Sequence, residues 1–294
     1  MLRTLRQKNM ASYFFGASTS RPLSVGAPAV TIEKRDGGVA VVTLDRPTKL
    51  NALDMATFRG VRDAAVTLRD DADVRAVVIR GAGRAFSAGL DLKSVVGTTD
   101  AKKNFEELLG RPEGEAANLA QAVSHAWRGV PCPVVAAVHG VCFGGGFQIA
   151  LGADVRVAAA GTKFSVMEAK WGLIPDMGAT AALPELVNRD VAIELTTTGR
   201  IFEAAEAKEL GLVTKVVEGD AFEAALGMAT KIAAGSPDAA AAAKQLWHAT
   251  YDAPGDPPTE ARLLKLETDL QRRLLLGWNQ AACVARGLGA PELL

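Results

Sequence analysis

Residues 134–178 read VVAAVHGVCFGGGFQIALGADVRVAAAGTKFSVMEAKWGLIPDMG, and the interpretation of the whole chain turns on this stretch. It opens with an apolar run, Val134–Val138, of the length and composition of a buried strand. His139-Gly140 ends the run, and Gly144-Gly145-Gly146 introduces a second apolar segment, Phe147–Leu151, which reads as a short helix. Three glycines at a strand-to-helix turn let backbone N–H groups approach a ligand closely, because no Cβ intervenes. The first N–H groups of a helix are also unpaired and carry partial positive charge. Such a turn suits an oxygen that becomes negative during reaction. Two carboxylates follow, Glu168 and Asp176, on either side of Trp171-Gly172-Leu173-Ile174-Pro175. An anion-stabilising turn beside candidate bases is the arrangement needed to make and quench an enolate. Taken alone, GGG in a chain with 29 glycines also fits a plain turn, and a loop carboxylate is usually just solvated.

The flanking segments extend the pattern of strands alternating with helices. Val39–Leu44 is an apolar run after a Gly37-Gly38 turn, and Asp54 is placed to cap a helix over Met55–Leu68, with Phe58, Val61, Ala65 and Leu68 on one face. Val74–Ile79 reads as the next strand, ending at Gly81-Ala82-Gly83. Residues 100–118 are polar and carry Glu106, Glu107, Glu113 and Glu115, as a lid-like helix and loop would. A helix over Leu119–Arg128 leads to Pro131. Beyond Pro237 the pattern is helical over 238–249 and 259–275, with a break at Pro254–Pro258. The expected division is therefore a leader over 1–29, an α/β core domain over 30–235 and a helical C-terminal region over 236–294.

Composition bounds the partners. The 294 residues are 49% hydrophobic and 22% charged, enough for a substantial core. With 33 basic and 33 acidic residues there is no basic excess, so no nucleic-acid or membrane-surface partner is expected. No apolar run is long enough to span a bilayer. Cys132, Cys142 and Cys283 form no CxxC and no metal-ligand cluster with His125, His139 and His248, so reduced thiols and no metal are expected. Neither glycine cluster forms a GxGxxG with an acidic residue at the right distance, which argues against a nicotinamide or flavin enzyme. Residues 1–29 contain Arg3, Arg6, Lys8 and Arg21, scattered serines and no acid. That composition predicts an organellar transit peptide, most simply for the mitochondrial matrix; the other reading is a disordered leader on a cytoplasmic protein.

The central stretch resembles the signature of the enoyl-CoA hydratase/isomerase (crotonase) family: an AVxG strand end, GGG opening a helix, Ala153-Asp154, Phe164, a glutamate and GLxP. The upstream Arg46-Pro47, Asn51-Ala52-Leu53 and Ala85-Phe86-Ser87-Ala88-Gly89-Leu90-Asp91-Leu92 fit in order. So do the downstream Thr198-Gly199-Arg200, Ala204-Ala205-Glu206-Ala207 and Leu210-Gly211-Leu212-Val213. The resemblance covers roughly residues 30–280. It implies a ClpP-like superhelix of ββα units whose helical C-terminal region packs over the site and supports assembly into a homotrimer or homohexamer. It implies an acyl-CoA thioester substrate, with no cofactor beyond the coenzyme A that the substrate carries, and a role in fatty acid beta-oxidation. The oxyanion hole would be the backbone N–H groups of Leu90 and Gly145, and coenzyme A would lie along Asn51, Ala52, Leu53 and Lys93.

Gln148 is the departure from the family pattern. Hydratases of the family carry a glutamate there and a second at the position of Glu168. An amide hydrogen-bonds but does not transfer protons at working pH. Losing one of two acid/base groups costs on the order of 10²–10⁴ in rate. Glu168 and Asp176 match the proton-moving pair of the dienoyl-CoA isomerases, although Gln148 stands where that group has a third carboxyl, whose protonated form an amide mimics; Glu168 alone matches the enoyl-CoA isomerases. The catalytic set is thus expected to be Glu168, Asp176 and Gln148 in a double-bond isomerase. An enoyl-CoA hydratase or another crotonase-type enzyme is the alternative, and a catalytically weak acyl-CoA-binding protein is the alternative from another class. For Asp176 a helix N-cap over Met177–Leu183 is the competing role.

Overall fold

A computed structural model describes residues 28–251, 260–275 and 277–287. The expected leader, up to residue 27, and the Pro254–Pro258 break lie outside the described residues.

The chain begins β1 (Val30–Arg35), β2 (Val39–Leu44), α1 (Met55–Arg69), β3 (Ala76–Gly81), α2 (Leu92–Val95), α3 (Ala101–Leu109) and α4 (Leu119–His125). The central stretch supplies β4 (Val134–Val138), β5 (Val141–Phe143), α5 (Gly145–Leu151), β6 (Val155–Ala159) and β7 (Lys163–Ser165), then a 3₁₀ turn over Met167–Trp171. There follow α6 (Ala179–Leu186), α7 (Arg189–Thr198), β8 (Phe202–Glu203), α8 (Ala204–Glu209), β9 (Lys215–Val217) and α9 (Ala221–Ala233). Three helices close the described chain: α10 (Pro237–Tyr251), α11 (Glu260–Leu274) and α12 (Trp278–Gly287). The repeating β1–β2–α1 and β4–β5–α5 units match the expected ββα plan.

Six strands form one sheet in the order β1-β2-β3-β4-β6-β9, parallel except for the antiparallel β1–β2 edge pair. β5, β7 and β8 form a second, smaller sheet. The unbroken apolar runs of β2, β3 and β4 follow from burial on both faces. Alternate residues serve opposite sides. Val42, Val77, Ile79, Ala136 and Val138 join a large core with α1 and α4, while Val41, Val78, Val135 and Val157 pack under Phe222, Ala225 and Ala229 of α9. The third strand lies two residues later than its sequence pattern suggests. Val74 belongs to the approach, whose next residue Arg75 donates its N–H to Gly38 O, and pairing runs on to Gly81.

Asp54 caps α1 as expected, its Oδ1 accepting from the Thr57 N–H at 2.8 Å. The α10 helix is tied to the core by a buried ionic group. Lys244 Nζ lies 2.8 Å from Asp154 Oδ2 and donates to the carbonyls of Trp127 (3.0 Å) and Cys132 (3.2 Å). Asp154 also receives the Val134 N–H at 2.7 Å, at the start of β4, and pairs through Oδ1 with His248 Nε2 at 2.8 Å. Burial alone would raise the Asp154 carboxyl, but His248, Lys244 and the Val134 N–H outweigh it and hold the group below its ordinary range.

Candidate active site

The triple glycine lies where strand and helix come too close for side chains. Gly144 has φ +50°, outside the range of most residues. A Cβ on Gly146 would stand 2.5 Å from Ser87 Cβ, and one on Gly145 would meet Met177 Sδ at 2.5 Å and Leu53 Cδ1 at 2.9 Å. Ser87 forms an isolated parallel bridge with Cys142, giving its carbonyl to the Phe143 N–H at 3.0 Å and its N–H to Val141 O at 3.1 Å. Gly89, at φ +88°, runs so near Phe143 that a Cβ would stand 2.8 Å from the Phe143 carbonyl oxygen. These contacts bring the Leu90 loop against the start of α5.

A second isolated bridge orients Leu90. Leu53 donates its N–H to Gly89 O at 2.8 Å and accepts the Asp91 N–H at 3.0 Å, so the N–H of Leu90 between them points away from that ladder. Among the described residues neither the Leu90 N–H nor the Gly145 N–H, the first of α5, has a hydrogen-bond partner. Two unspent backbone donors thus stand on adjoining segments, the Leu90 loop and the first turn of α5, where they are free to hydrogen-bond a ligand oxygen.

Glu168 lies beside the same turn. Its carboxylate Oε1 would stand 3.4 Å from a Cβ on Gly144. The residue is only 8% exposed, and Oε2 is buried without a hydrogen-bond partner among the described residues. Desolvation raises the Glu168 carboxyl above its ordinary value, and the Asp176 charge adds to the rise. Asp176 is more exposed, and desolvation by the protein on its inner side raises it as well. Asp176 does not cap a helix. α6 starts only at Ala179, with Gly178 at φ +95° in the capping position, because the chain first surrenders the Met177 and Ala179 N–H groups to Gln148.

Gln148 is held at both ends of its amide. Oε1 accepts from Met177 N–H at 2.8 Å and Ala179 N–H at 3.3 Å, and Nε2 donates to Glu168 Oε1 at 2.7 Å. The two backbone donors fix which end is oxygen, so the NH₂ faces the carboxylate. Beneath, Phe147 packs on Phe164 and Phe202 with ring centroids 5.2 and 6.0 Å away, which seats α5 on the small sheet.

Of the remaining expected residues, Asn51 is buried, with Nδ2 donating to Ala82 O and Ala85 O (both 2.8 Å) and Oδ1 accepting the Arg46 N–H at 2.9 Å. Leu53 is buried against Gly145, Ala52 is half-buried, and Lys93 is exposed on α2. Sequence reasoning singled out neither Ser87 nor Met177 as a support of the site. Ser87 Oγ donates to Asn51 O at 2.8 Å and accepts the Gly89 N–H at 3.2 Å. Its small size opposite Gly146 was the available signal. No group of three or more metal-ligating side chains occurs among the described residues. Nor is any of their helices long and apolar enough to cross a membrane.

The sequence model of the enoyl-CoA hydratase/isomerase family matches residues 34–274. The carnitinyl-CoA dehydratase of Salmonella typhi is 36% identical over 222 residues, 75% of this chain and 80% of that protein. An enoyl-CoA hydratase from Polaromonas sp. JS666 superposes with a TM-score of 0.76 at 31% identity, over 88% of this chain and 96% of the other. That of Bacillus anthracis gives 0.78 at 27% identity, over 89% and 96%. The chain belongs to the enoyl-CoA hydratase/isomerase, or crotonase, family, and is an acyl-CoA enzyme of the hydratase/isomerase type with that family's fold. Members of this family act on acyl-CoA thioesters and usually oligomerise.

The expectation of a mitochondrial protein with a transit peptide is corrected by these comparisons. The Salmonella relatives come from cells without mitochondria, and their names do not point to beta-oxidation. An arginine-rich, acid-free opening is a compositional signal only, and it does not require an import machinery to read it.

Proposed function

We propose that this enzyme moves a carbon–carbon double bond along the acyl chain of an acyl-CoA thioester. Glu168 is the principal base, Asp176 the partner acid or base, and the thioester oxygen lies between the Leu90 and Gly145 N–H groups. The observation that supports it best is the fixed amide of Gln148. With Oε1 committed to two backbone donors, its NH₂ steadies Glu168 and leaves a single carboxylate against the turn. Glu168 takes a proton from the carbon next to the thioester or from its vinylogous position. The charge spreads onto the thioester oxygen, and the proton returns at the other end of the conjugated system from Glu168 or Asp176. No atom is gained or lost, and no cofactor enters. Raised pKa values on both carboxyl groups suit residues that alternate as acid and base. Lys93 and the backbone around Ala52 are the groups left to meet coenzyme A, since the side chains of Asn51 and Leu53 are consumed by the scaffold. We place this site in a core domain over 30–235, with the helical region 236–294 completing a homotrimer or homohexamer.

Addition or removal of water is the second reading, favoured by the dehydratase names of the Salmonella relatives. In that case Glu168 alone would position and activate water. Paired assays on purified protein separate the two. A trans-2-enoyl-CoA is followed for loss of the conjugated thioester absorbance, and 3-enoyl- and 3,5-dienoyl-CoA for conjugation appearing or extending. Isomerisation without appreciable hydration, abolished in Glu168→Gln, is the expected result. Asp176→Asn then tells diene from monoene chemistry. Rapid hydration by the wild type would refute the isomerase reading.

A further inference from the structure

Arg46 occupies a position that neither proton transfer nor coenzyme A binding explains. It follows β2, and its guanidinium is mostly buried, with 19% of the side chain exposed. Nη2 lies 3.1 Å from Asp54 Oδ2 and 3.1 Å from Asp91 Oδ2, while Nη1 donates to the carbonyl of Ala52. Its own N–H is held by Asn51 Oδ1. The three acceptors belong to the two segments that bracket Leu90. Asp54 caps α1 directly after Leu53, the bridging partner of Leu90. Asp91 follows Leu90 and caps α2 through Ser94. Burial would raise the Asp91 carboxyl, but hydrogen bonds from Ser94 and Arg46 hold it below its ordinary value, so it is ionised beside the site.

We propose that Arg46 is the positioning residue of the Leu90 oxyanion donor: it clamps the Leu53 and Leu90 segments to each other and neutralises the two carboxylates that flank them. The proposal rests on the reading of Leu90 and Gly145 as the oxyanion pair. A planar guanidinium reaches three acceptors at fixed angles, which an ammonium on a flexible stem does not. Without it the Leu53–Leu90 bridge keeps only two backbone hydrogen bonds. Asp54 and Asp91 then repel one another, and they place uncompensated negative charge near an N–H whose purpose is to receive negative charge. Arg46 touches no reacting atom; it acts through the direction in which the Leu90 N–H points.

The test reads the donor directly and does not depend on which double-bond chemistry the enzyme performs. Hexanoyl-CoA labelled with ¹³C at the thioester carbonyl is bound to wild type, Arg46→Met, Arg46→Lys and Asp91→Asn, and its carbonyl stretch is followed by infrared difference spectroscopy. Affinity is measured separately by calorimetry. Wild type is expected to shift the band to lower wavenumber. Arg46→Met loses most of the shift and about 10- to 100-fold in kcat, short of complete removal of a donor, with affinity for hexanoyl-CoA and KM nearly unchanged. Arg46→Lys and Asp91→Asn fall between. Arg46→Lys, which keeps the charge, and the near-isosteric Asp91→Asn decide the matter if Arg46→Met does not fold. A full wild-type shift in all variants that fold overturns the proposal. A wild type with no shift overturns the oxyanion reading and this proposal together. A normal shift in an enzyme that fails to isomerise overturns only the proposed reaction and leaves the positioning role to the variants.

Discussion

Replacing Gln148 by glutamate restores the second carboxyl group of a hydratase. The present amide accepts two backbone N–H groups at 2.8 and 3.3 Å and gives its NH₂ to Glu168 at 2.7 Å. In Gln148→Glu one new oxygen inherits the two backbone donors unchanged. The other falls about where Nε2 now stands, in contact with Glu168 Oε1. Two carboxylates at that separation do not both ionise, so the pair holds one proton between them and one member titrates far above the ordinary range. Neutral pH then finds one acid and one base facing the same point, the requirement for adding water across a polarised double bond. A positioned acid/base group is worth about 10²–10⁴ in rate, or roughly 3–5 kcal/mol of barrier. Hydration of a trans-2-enoyl-CoA, followed at the conjugated thioester absorbance, is expected to rise by at least 10²-fold over the wild type. Isomerisation should fall, because the proton now shared with Glu168 weakens it as a base. The reasoning is refuted if the variant folds with wild-type affinity for acyl-CoA and hydrates no faster, or if the wild type already hydrates efficiently with the amide in place.

Two other perturbations follow from groups whose surroundings are known. Glu168 is raised by burial and must be ionised to abstract a proton, so kcat should climb with pH through a value above the usual carboxylate range. For the same reason its ionisation opposes folding: the contribution is fully favourable below the unfolded pKa, about 4.3, and is lost as pH rises through the folded one. Glu168→Gln should therefore be inactive yet melt higher than wild type at neutral pH, the difference vanishing in acid; calorimetric melts from pH 4 to 8 check the sign. Lys244→Met should lower stability by about 3 kcal/mol, because it removes the buried lysine from the largely buried Asp154 and leaves that carboxylate only His248 and the Val134 N–H; urea titration measures the loss. A double variant with Asp154→Asn should recover part of it. In the wild type the Asp154 contribution is present above the unfolded pKa and disappears as pH falls through its depressed folded value.

The middle strands β2, β3 and β4 were legible in the sequence because they are buried on both faces and read as unbroken apolar runs. The start of α1 was legible because Asp54 does locally what a cap does. Glu168 and the glycine turn were legible through the spacing of the family signature. Less visible were the contacts between loops distant in sequence. Nothing local in Asn51-Ala52-Leu53 says that the asparagine side chain ties down Ala82 and Ala85 and is not free for a ligand. Nothing in Pro175-Asp176-Met177 says that Gln148 captures the Met177 N–H, delays α6 and leaves Asp176 uncapping. Arg46 stood in the quoted motif, yet its three acceptors come together only after the chain has folded. The mitochondrial destination was misread because composition alone supplied the pattern.

The two isolated bridges, Leu53 with Leu90 and Ser87 with Cys142, have a consequence for how the site forms and fails. Each joins segments far apart along the chain by two backbone hydrogen bonds. Their loop-closure entropy is met only after the parallel sheet is assembled. The donors are therefore among the last parts of the fold to acquire their geometry and among the first to lose it by local opening, well below the free energy of global unfolding. Amide exchange at Leu53 and Asp91 should be faster than in β3 and β4, and heat or mild denaturant should silence the enzyme while Glu168 is still buried and the sheet still intact.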